Sequence, residues 1–166
     1  MTTRKRVLIT GGSSGIGYQS VVQLLAEGIE VIFPCRDKTT SKETMEKLKN
    51  ELTIPSENLI YASSPIMDLS DLNSIQDFVN KFLSEYEFID ILILNAGLQY
   101  TGSPLPKRSK QGFELTFAVN HLSHHYLTYL LLPLVLKSKY PRIIITSSEV
   151  HNPFFHQVEE LENLLV

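Results

Sequence analysis

The chain has 166 residues, 43% hydrophobic and 20% charged, with a net charge of −3. This is the composition and size of one ordinary globular domain, and the charge gives no footing for nucleic acid or an acidic membrane as partner. A single cysteine, Cys35, excludes an internal disulfide and fits a reducing compartment.

Short β-branched runs alternate with helical patterns along the chain. Arg6 to Thr10 reads as a strand. Gly15 to Glu27 reads as a helix whose apolar face carries Ile16, Val21, Leu24 and Leu25. Gly28 stops that helix and opens a second strand, Glu30 to Cys35. Thr39 to Leu52 is a charged amphipathic helix without a capping box at its start, since Ser41 is followed by Thr44. Leu59 to Ala62 is expected as the third strand. Ser70 to Phe82 is expected as a helix capped by Ser70 or Asp71. Ile89 to Leu94 is nearly all apolar, as strands buried on both faces are. Ser109 to Leu136 reads as one long helix, bent near Pro133. Arg142 to Thr146 is the fifth strand. The tail from His151 to Val166 places Val158, Leu161, Leu164 and Leu165 at roughly helical spacing.

Strand and helix in strict alternation imply an α/β fold: a doubly wound parallel sheet of about five strands, with right-handed crossovers and helices on both faces. Residues 1–166 are read as a single domain. The loop from Leu98 to Arg108, with Gly102, Pro104 and Pro106, follows a strand's carboxyl end, where open α/β sheets bind ligands. The longest apolar stretch, residues 126–136, is shorter than the roughly 20 residues that span a bilayer, and residues 7–9 are too few for a signal-peptide core. The expectation is a cytoplasmic protein with no transmembrane segment.

The segment Val7-Leu-Ile-Thr-Gly-Gly-Ser-Ser-Gly-Ile-Gly17 joins strand one to helix one. Its spacing differs from GxGxxG, but the physics is shared. Gly11 allows a tight turn at the strand end. Gly15 and Gly17 let backbone approach a phosphate and let the helix pack close to the strand. The helix N-terminus offers unpaired N–H groups and partial positive charge to a pyrophosphate, and Ser13 and Ser14 add hydroxyl donors. Gly11, Ser13, Ser14, Gly15, Ile16 and Gly17 therefore form the candidate cofactor turn. A carboxylate at the end of strand two, about 20 residues past the glycines, would select NAD. Here Cys35 and Arg36 stand there, and a guanidinium suits the 2′-phosphate of NADP(H). Asp37 is adjacent and able to pair with Arg36.

Thr10-Gly-x-x-x-Gly-x-Gly17 resembles the turn of the short-chain dehydrogenase/reductase family. Further segments match in order. Asp68-Leu69 is similar to the family's adenine-contacting Asp-Leu pair. Asn95-Ala96-Gly97 is similar to its Asn-Asn-Ala-Gly, with Leu94 in place of the first Asn. Asn120, within Ala118-Val-Asn-His-Leu122, resembles the helical asparagine of the active site, and Thr146-Ser-Ser148 resembles the serine segment. Cys35-Arg-Asp37, Gly112-Phe-Glu114 and Val119-Asn-His-Leu122 most resemble the retinol dehydrogenase and light-dependent protochlorophyllide reductase groups.

The resemblance implies hydride transfer between a nicotinamide and a small carbonyl or alcohol substrate. Ser148 would bond the substrate oxygen, and Asn120 would order a water in the proton relay. The family's proton donor is a tyrosine, with a lysine four residues later, on the helix after strand five. No tyrosine follows Tyr140 and no lysine follows Lys139. The expectation is therefore a Rossmann-like family chain, strand order 3-2-1-4-5, that lacks the family's carboxyl-terminal strands and helices: a fragment, an interrupted reading frame, or a chain completed by a partner, with a homo-oligomer as the other partner expectation. It would leave Ile143 to Ile145 on an open edge. A non-catalytic dinucleotide-binding or partner-completed module is the alternative reading. His121, His124 and His125 share metal-ligand spacing on the long helix, but no cysteine or carboxylate lies near them in sequence. No metal is expected, and that helix face is read as lying near a subunit interface.

Overall fold

Alternation along β1 (Arg6–Ile9) sets the architecture, because successive side chains of a strand face opposite sides of the sheet. Leu8 is fully buried in one core and Ile9 in another. The computed structural model describes residues 4–99 and 105–148. In it β2 (Glu30–Ile32), β3 (Ala62–Ser63), β4 (Ile91–Leu94) and β5 (Arg142–Ile145) join β1 in one sheet, ordered β3-β2-β1-β4-β5. Every pairing is parallel. Val7 lies between Val31 and Ile91, and Ile93 pairs with Ile144.

Helices cover both faces. On one, α1 (Gly15–Ala26) and α2 (Lys38–Lys49) enclose Ile9, Val31 and Phe33 with Tyr18, Val21, Leu25 and Leu48. On the other, α3 (Leu72–Glu85) and α5 (Ser123–Val135) enclose Leu8, Ile32 and Leu92 with Ile75, Val79, Leu127 and Leu131. The fold is the Rossmann-like, doubly wound sheet expected from the alternation of elements. The chain leaves β1 toward β2 on one side and returns to β4 on the other. The strand ends at β1 and β4 therefore flank a topological switch point, where such sheets bind ligands.

Several boundaries differ from expectation. Within α1, Ile16 is 76% exposed at the first turn, while Tyr18 and Val22 join Val21 and Leu25 in the core. Gly28, at φ +73°, ends α1 as expected: its N–H bonds the Leu25 carbonyl and the Ile29 N–H bonds that of Leu24. Helix α2 begins at Lys38, because the Asp37 carboxylate caps it by accepting from the Thr40 N–H at 2.8 Å. Residues 59–61 are not strand but belong to a 3-10 turn, Ser56–Tyr61. Asn58 in that turn donates to the Leu25 carbonyl at 2.8 Å, closing the end of α1, and pairing with β2 starts only at Ala62. Asp71, one of the two candidates, caps α3.

The expected long helix from Ser109 is a turn followed by three helical elements. Residues 109–113 form a turn, with the Ser109 N–H on the Phe113 carbonyl and Gly112 at φ +87°. Glu114 then caps a short α4 (Leu115–Phe117), accepting from the Thr116 and Phe117 N–H groups. A π turn, Ala118–Leu122, links α4 to α5, and Pro133 lies inside α5. The irregularity therefore falls around Asn120 as well as at Pro133. Single π turns inside helices recur at functional sites.

Among the described residues β5 is an edge strand, exposed along its whole length, with Ile145 at 69%. No helix among the described residues is long and apolar enough to cross a membrane. The tail from His151 to Val166, and Gly102 and Pro104 of the loop, lie outside the described residues.

Candidate functional site

The glycine turn sits where β1 stops. Gly11 takes φ +69°, a conformation that side chains resist, and a Cβ there would lie 2.8 Å from the Ala96 Cα. The turn is thereby folded against the segment leaving β4. Thr10 fastens the two. Its hydroxyl accepts the backbone N–H groups of Asn95 and Ala96, each at 3.0 Å. The Asn95 side chain returns a bond to the Thr10 carbonyl at 3.1 Å and accepts from the Thr146 hydroxyl at 3.3 Å. The tips of β1, β4 and β5 are thus tied together. Gly17 lines neither cleft. It packs behind the turn, against the Gly11 carbonyl and Asn95.

A cleft of about 430 Å³ opens over this edge. It collects Gly11, Ser13, Ser14, Arg36, Asp68, Leu69, Ala96 and Gly97, all expected from sequence. Thr10, Cys35 and Leu98 also line it. Gly15 and Ile16 lie on the outer side of the α1 start, facing a separate depression shared with Tyr18 and Lys47. Ser14 caps α1 with its backbone only; its side chain makes no capping bond. The first turn of α1 holds no acidic residue, so nothing there opposes an anion. Asp68 turns one carboxylate oxygen onto the Ser70 N–H and hydroxyl, both at 2.8 Å.

Arg36 is exposed beside the cleft and contacts Asp37 at 3.3 Å. The same Asp37 carboxylate accepts from the Thr40 N–H, and these bonds, with the Arg36 charge behind them, hold it below the usual carboxylate range. Cys35 is 2% exposed, and burial pushes its thiol up to about 11. A thiol reagent at pH 8 should therefore leave native Cys35 unmodified and label it fully in denaturant. Labelling of the native protein at the rate of a free thiol would contradict this.

A second cleft, of about 590 Å³, shares Ala96 and Gly97 with the first. It brings together Asn95, Asn120 and Ser148 with Thr146, Ser147 and the three α5-side histidines. Asn120 reaches from the π turn to clamp Leu98, accepting its N–H at 2.9 Å and donating to its carbonyl at 2.8 Å. Asn95, Asn120 and Ser148 therefore share one cleft, adjoining the cleft of the glycine turn. No tyrosine or lysine is among the described residues that line either cleft.

His124 was not singled out from its neighbours by sequence, but its surroundings differ from theirs. His121 and His125 are exposed, whereas His124 is buried, with its ring between Thr10 and Asn120. The histidines form no metal-binding group among the described residues. Burial holds the His124 pKa below its ordinary 6.5; the Asn120 carbonyl opposes the shift and His121 adds to it. The unfolded chain then takes up this proton at higher pH than the folded one. Stability should be flat in this respect above pH 6.5 and fall as pH drops below it. Urea unfolding of the native chain and of His124→Gln across that range checks the sign: the variant should lose part of the acid slope.

The family model for short chain dehydrogenase matches residues 5–158. The chain belongs to the short-chain dehydrogenase family. A WW domain-containing oxidoreductase of Drosophila melanogaster is 40% identical over 150 residues, covering 89% of this chain and 34% of that protein. Human retinol dehydrogenase 14 is 37% identical over 158 residues, covering 89% and 45%. Among solved structures, menthone neomenthol reductase from Mentha piperita superposes with a TM-score of 0.77 at 26% identity, covering 98% of this chain and 66% of that one. A short chain dehydrogenase from Escherichia coli CFT073 complexed with NADPH gives 0.71 at 26%, covering 88% and 59%. The chain spans less than half the length of these two curated relatives. Within the short-chain dehydrogenase fold, the two adjoining clefts at the strand ends contain most of the residues expected from sequence.

Proposed function

We propose that this chain forms the dinucleotide-binding part of an NADP(H)-dependent oxidoreductase acting on a small carbonyl or alcohol substrate. One observation carries the reading: Gly11, Ser13, Ser14 and Arg36 meet in a single cleft at the switch point of the sheet. The residues fit the group. Gly11 with the small side chains of Ser13 and Ser14 lines the cleft where a pyrophosphate would approach, and the start of α1 supplies N–H groups. Arg36 would hold the 2′-phosphate. Asp68 and Leu69 would flank the adenine. Asn95 to Gly97 would form the wall on the nicotinamide side, and Asn120 and Ser148 would face the substrate. When bound, the nicotinamide supplies or accepts the hydride. The NADPH complex of the Escherichia coli relative supports the cofactor class.

Titration with NADPH and NADH tests this. Saturable binding with a preference for NADPH is expected, and no binding of either at millimolar concentration would overturn it. A second reading, a non-catalytic or partner-completed module, is favoured by the absence of tyrosine and lysine from the described residues that line the clefts. A phenol titrates near 10, and lowering it toward neutrality takes a cation within a few ångströms. Under that reading NADPH binds but is not oxidised with any of a panel of aldehydes, ketones and quinones. Turnover by the chain alone would exclude it.

A further inference from the structure

A hydroxyl has two acceptor sites and one proton. Both acceptor sites of Thr10 Oγ1 are taken, by the N–H groups of Asn95 and Ala96. Its proton therefore points to its remaining partner, His124 Nε2, at 2.9 Å. On the other side of the ring, Nδ1 lies 3.1 Å from the Asn120 carbonyl, which can only accept. The two contacts independently require one tautomer, with Nδ1 protonated and Nε2 bare. An imidazolium would press an Nε2 proton onto an oxygen with no lone pair left. Among the described residues, the other ionisable groups lining this cleft are His121 and His125. Thr10 meets the ring from the end of β1, and Leu94, Asn95 and Thr146 line the same cleft from β4 and the end of β5; none of these titrates in the working range.

The hydrogen bonds form one unbroken path. Leu98 is clamped by the Asn120 side chain, the Asn120 carbonyl accepts from His124, His124 accepts from Thr10, and Thr10 accepts from Asn95 and Ala96. The segment 95–98 is thus held at its start by Thr10 and at its end by Asn120, and His124 is the group that sets those two holders against each other. We propose that His124 is a positioning residue of the dinucleotide site: as the Nδ1–H tautomer it locks Asn120 to Thr10 and so fixes the wall shared by the two clefts. It rests on the reading that these clefts hold a dinucleotide.

Three variants and one spectrum test it. His124→Leu keeps bulk and loses both bonds. His124→Gln keeps an acceptor that reaches Thr10. Thr10→Val loses the hydroxyl. NADPH affinity should fall about tenfold or more in His124→Leu and in Thr10→Val, and His124→Gln, which keeps the Thr10 bond but not the Asn120 bond, should fall between His124→Leu and the native chain. The double variant should lose clearly less than the sum of the two single losses, because the two residues share one bond. Fully additive losses, or no rescue by glutamine, would overturn the proposal. Long-range ¹H–¹⁵N correlation on the native chain should show Nδ1 protonated and Nε2 bare at neutral pH; the opposite tautomer, or imidazolium, overturns it too. The spectrum needs no cofactor and no variant. A native chain that binds no NADPH, yet shows this tautomer and non-additive stability losses in the same variants, sinks the dinucleotide reading and keeps the lock.

Discussion

Gly17→Ala should abolish NADPH binding and destabilise the fold by roughly 1–3 kcal/mol or more, the range for forcing volume into a packed site. The new Cβ would stand 2.2 Å from the Gly11 carbonyl oxygen, 2.6 Å from Asn95 Nδ2 and 2.8 Å from the Gly11 carbonyl carbon. None of these atoms yields easily. Gly11 is already at φ +69° with Ala96 against it, and Asn95 is tethered to Thr10 and Thr146. Relief comes only by moving the first turn of α1 away from the strand ends, which dismantles the cradle. Gly15→Ala is the informative control. Its Cβ meets nothing within 4 Å, but the residue sits at φ +54°. The cost there is backbone strain alone, about 1–2 kcal/mol. Urea unfolding and NADPH titration of both variants decide the matter. Gly17→Ala with native stability and affinity would show that close packing behind the turn is not what builds the site.

The same contrast shows what a sequence can and cannot convey here. The glycine spacing is local, so the turn was legible, and the alternation of strand and helix was enough for a doubly wound parallel sheet, while its strand order came with the family resemblance. Gly12 was passed over because its reason is tertiary: a Cβ there would lie 2.6 Å from that of Phe33, on the neighbouring strand's continuation. Residues 59–61 read as strand because they are apolar, but Leu59 and Tyr61 pack on the α1–α2 core, Ile60 is exposed, and Asn58 ties the turn to the end of α1. The start of α4 had local signals, Gly112 and the capping Glu114, that the continuous apolar pattern obscured. The π turn leaves no mark on a period of 3.6. His124 was visible four residues after Asn120. Its function as a link was not, because Thr10 is 114 residues away in sequence.

Arg36→Ala should weaken NADPH binding about ten- to a hundredfold and leave NADH binding nearly unchanged, because charge-assisted hydrogen bonds contribute roughly 1.5–3 kcal/mol. In the absence of ligand the guanidinium is mostly exposed and contacts Asp37. An ion pair so open to water is weak and screened by salt, so a doubly charged phosphate should displace it. Asp37 meanwhile stays fixed by its second task, capping α2 through the Thr40 N–H. This separates two further variants. Asp37→Asn keeps an oxygen for the cap but removes the charge that competes for Arg36 and repels the phosphate, so NADPH affinity should rise. Arg36→Asp puts a carboxylate where the ribose would lie and should turn the preference toward NADH. The ratio of the two affinities is the quantity to measure, since it cancels any general damage to the site. If that ratio is the same in Arg36→Ala as in the native chain, Arg36 does not select the phosphorylated cofactor, and the end of β2 would be left without a residue that does.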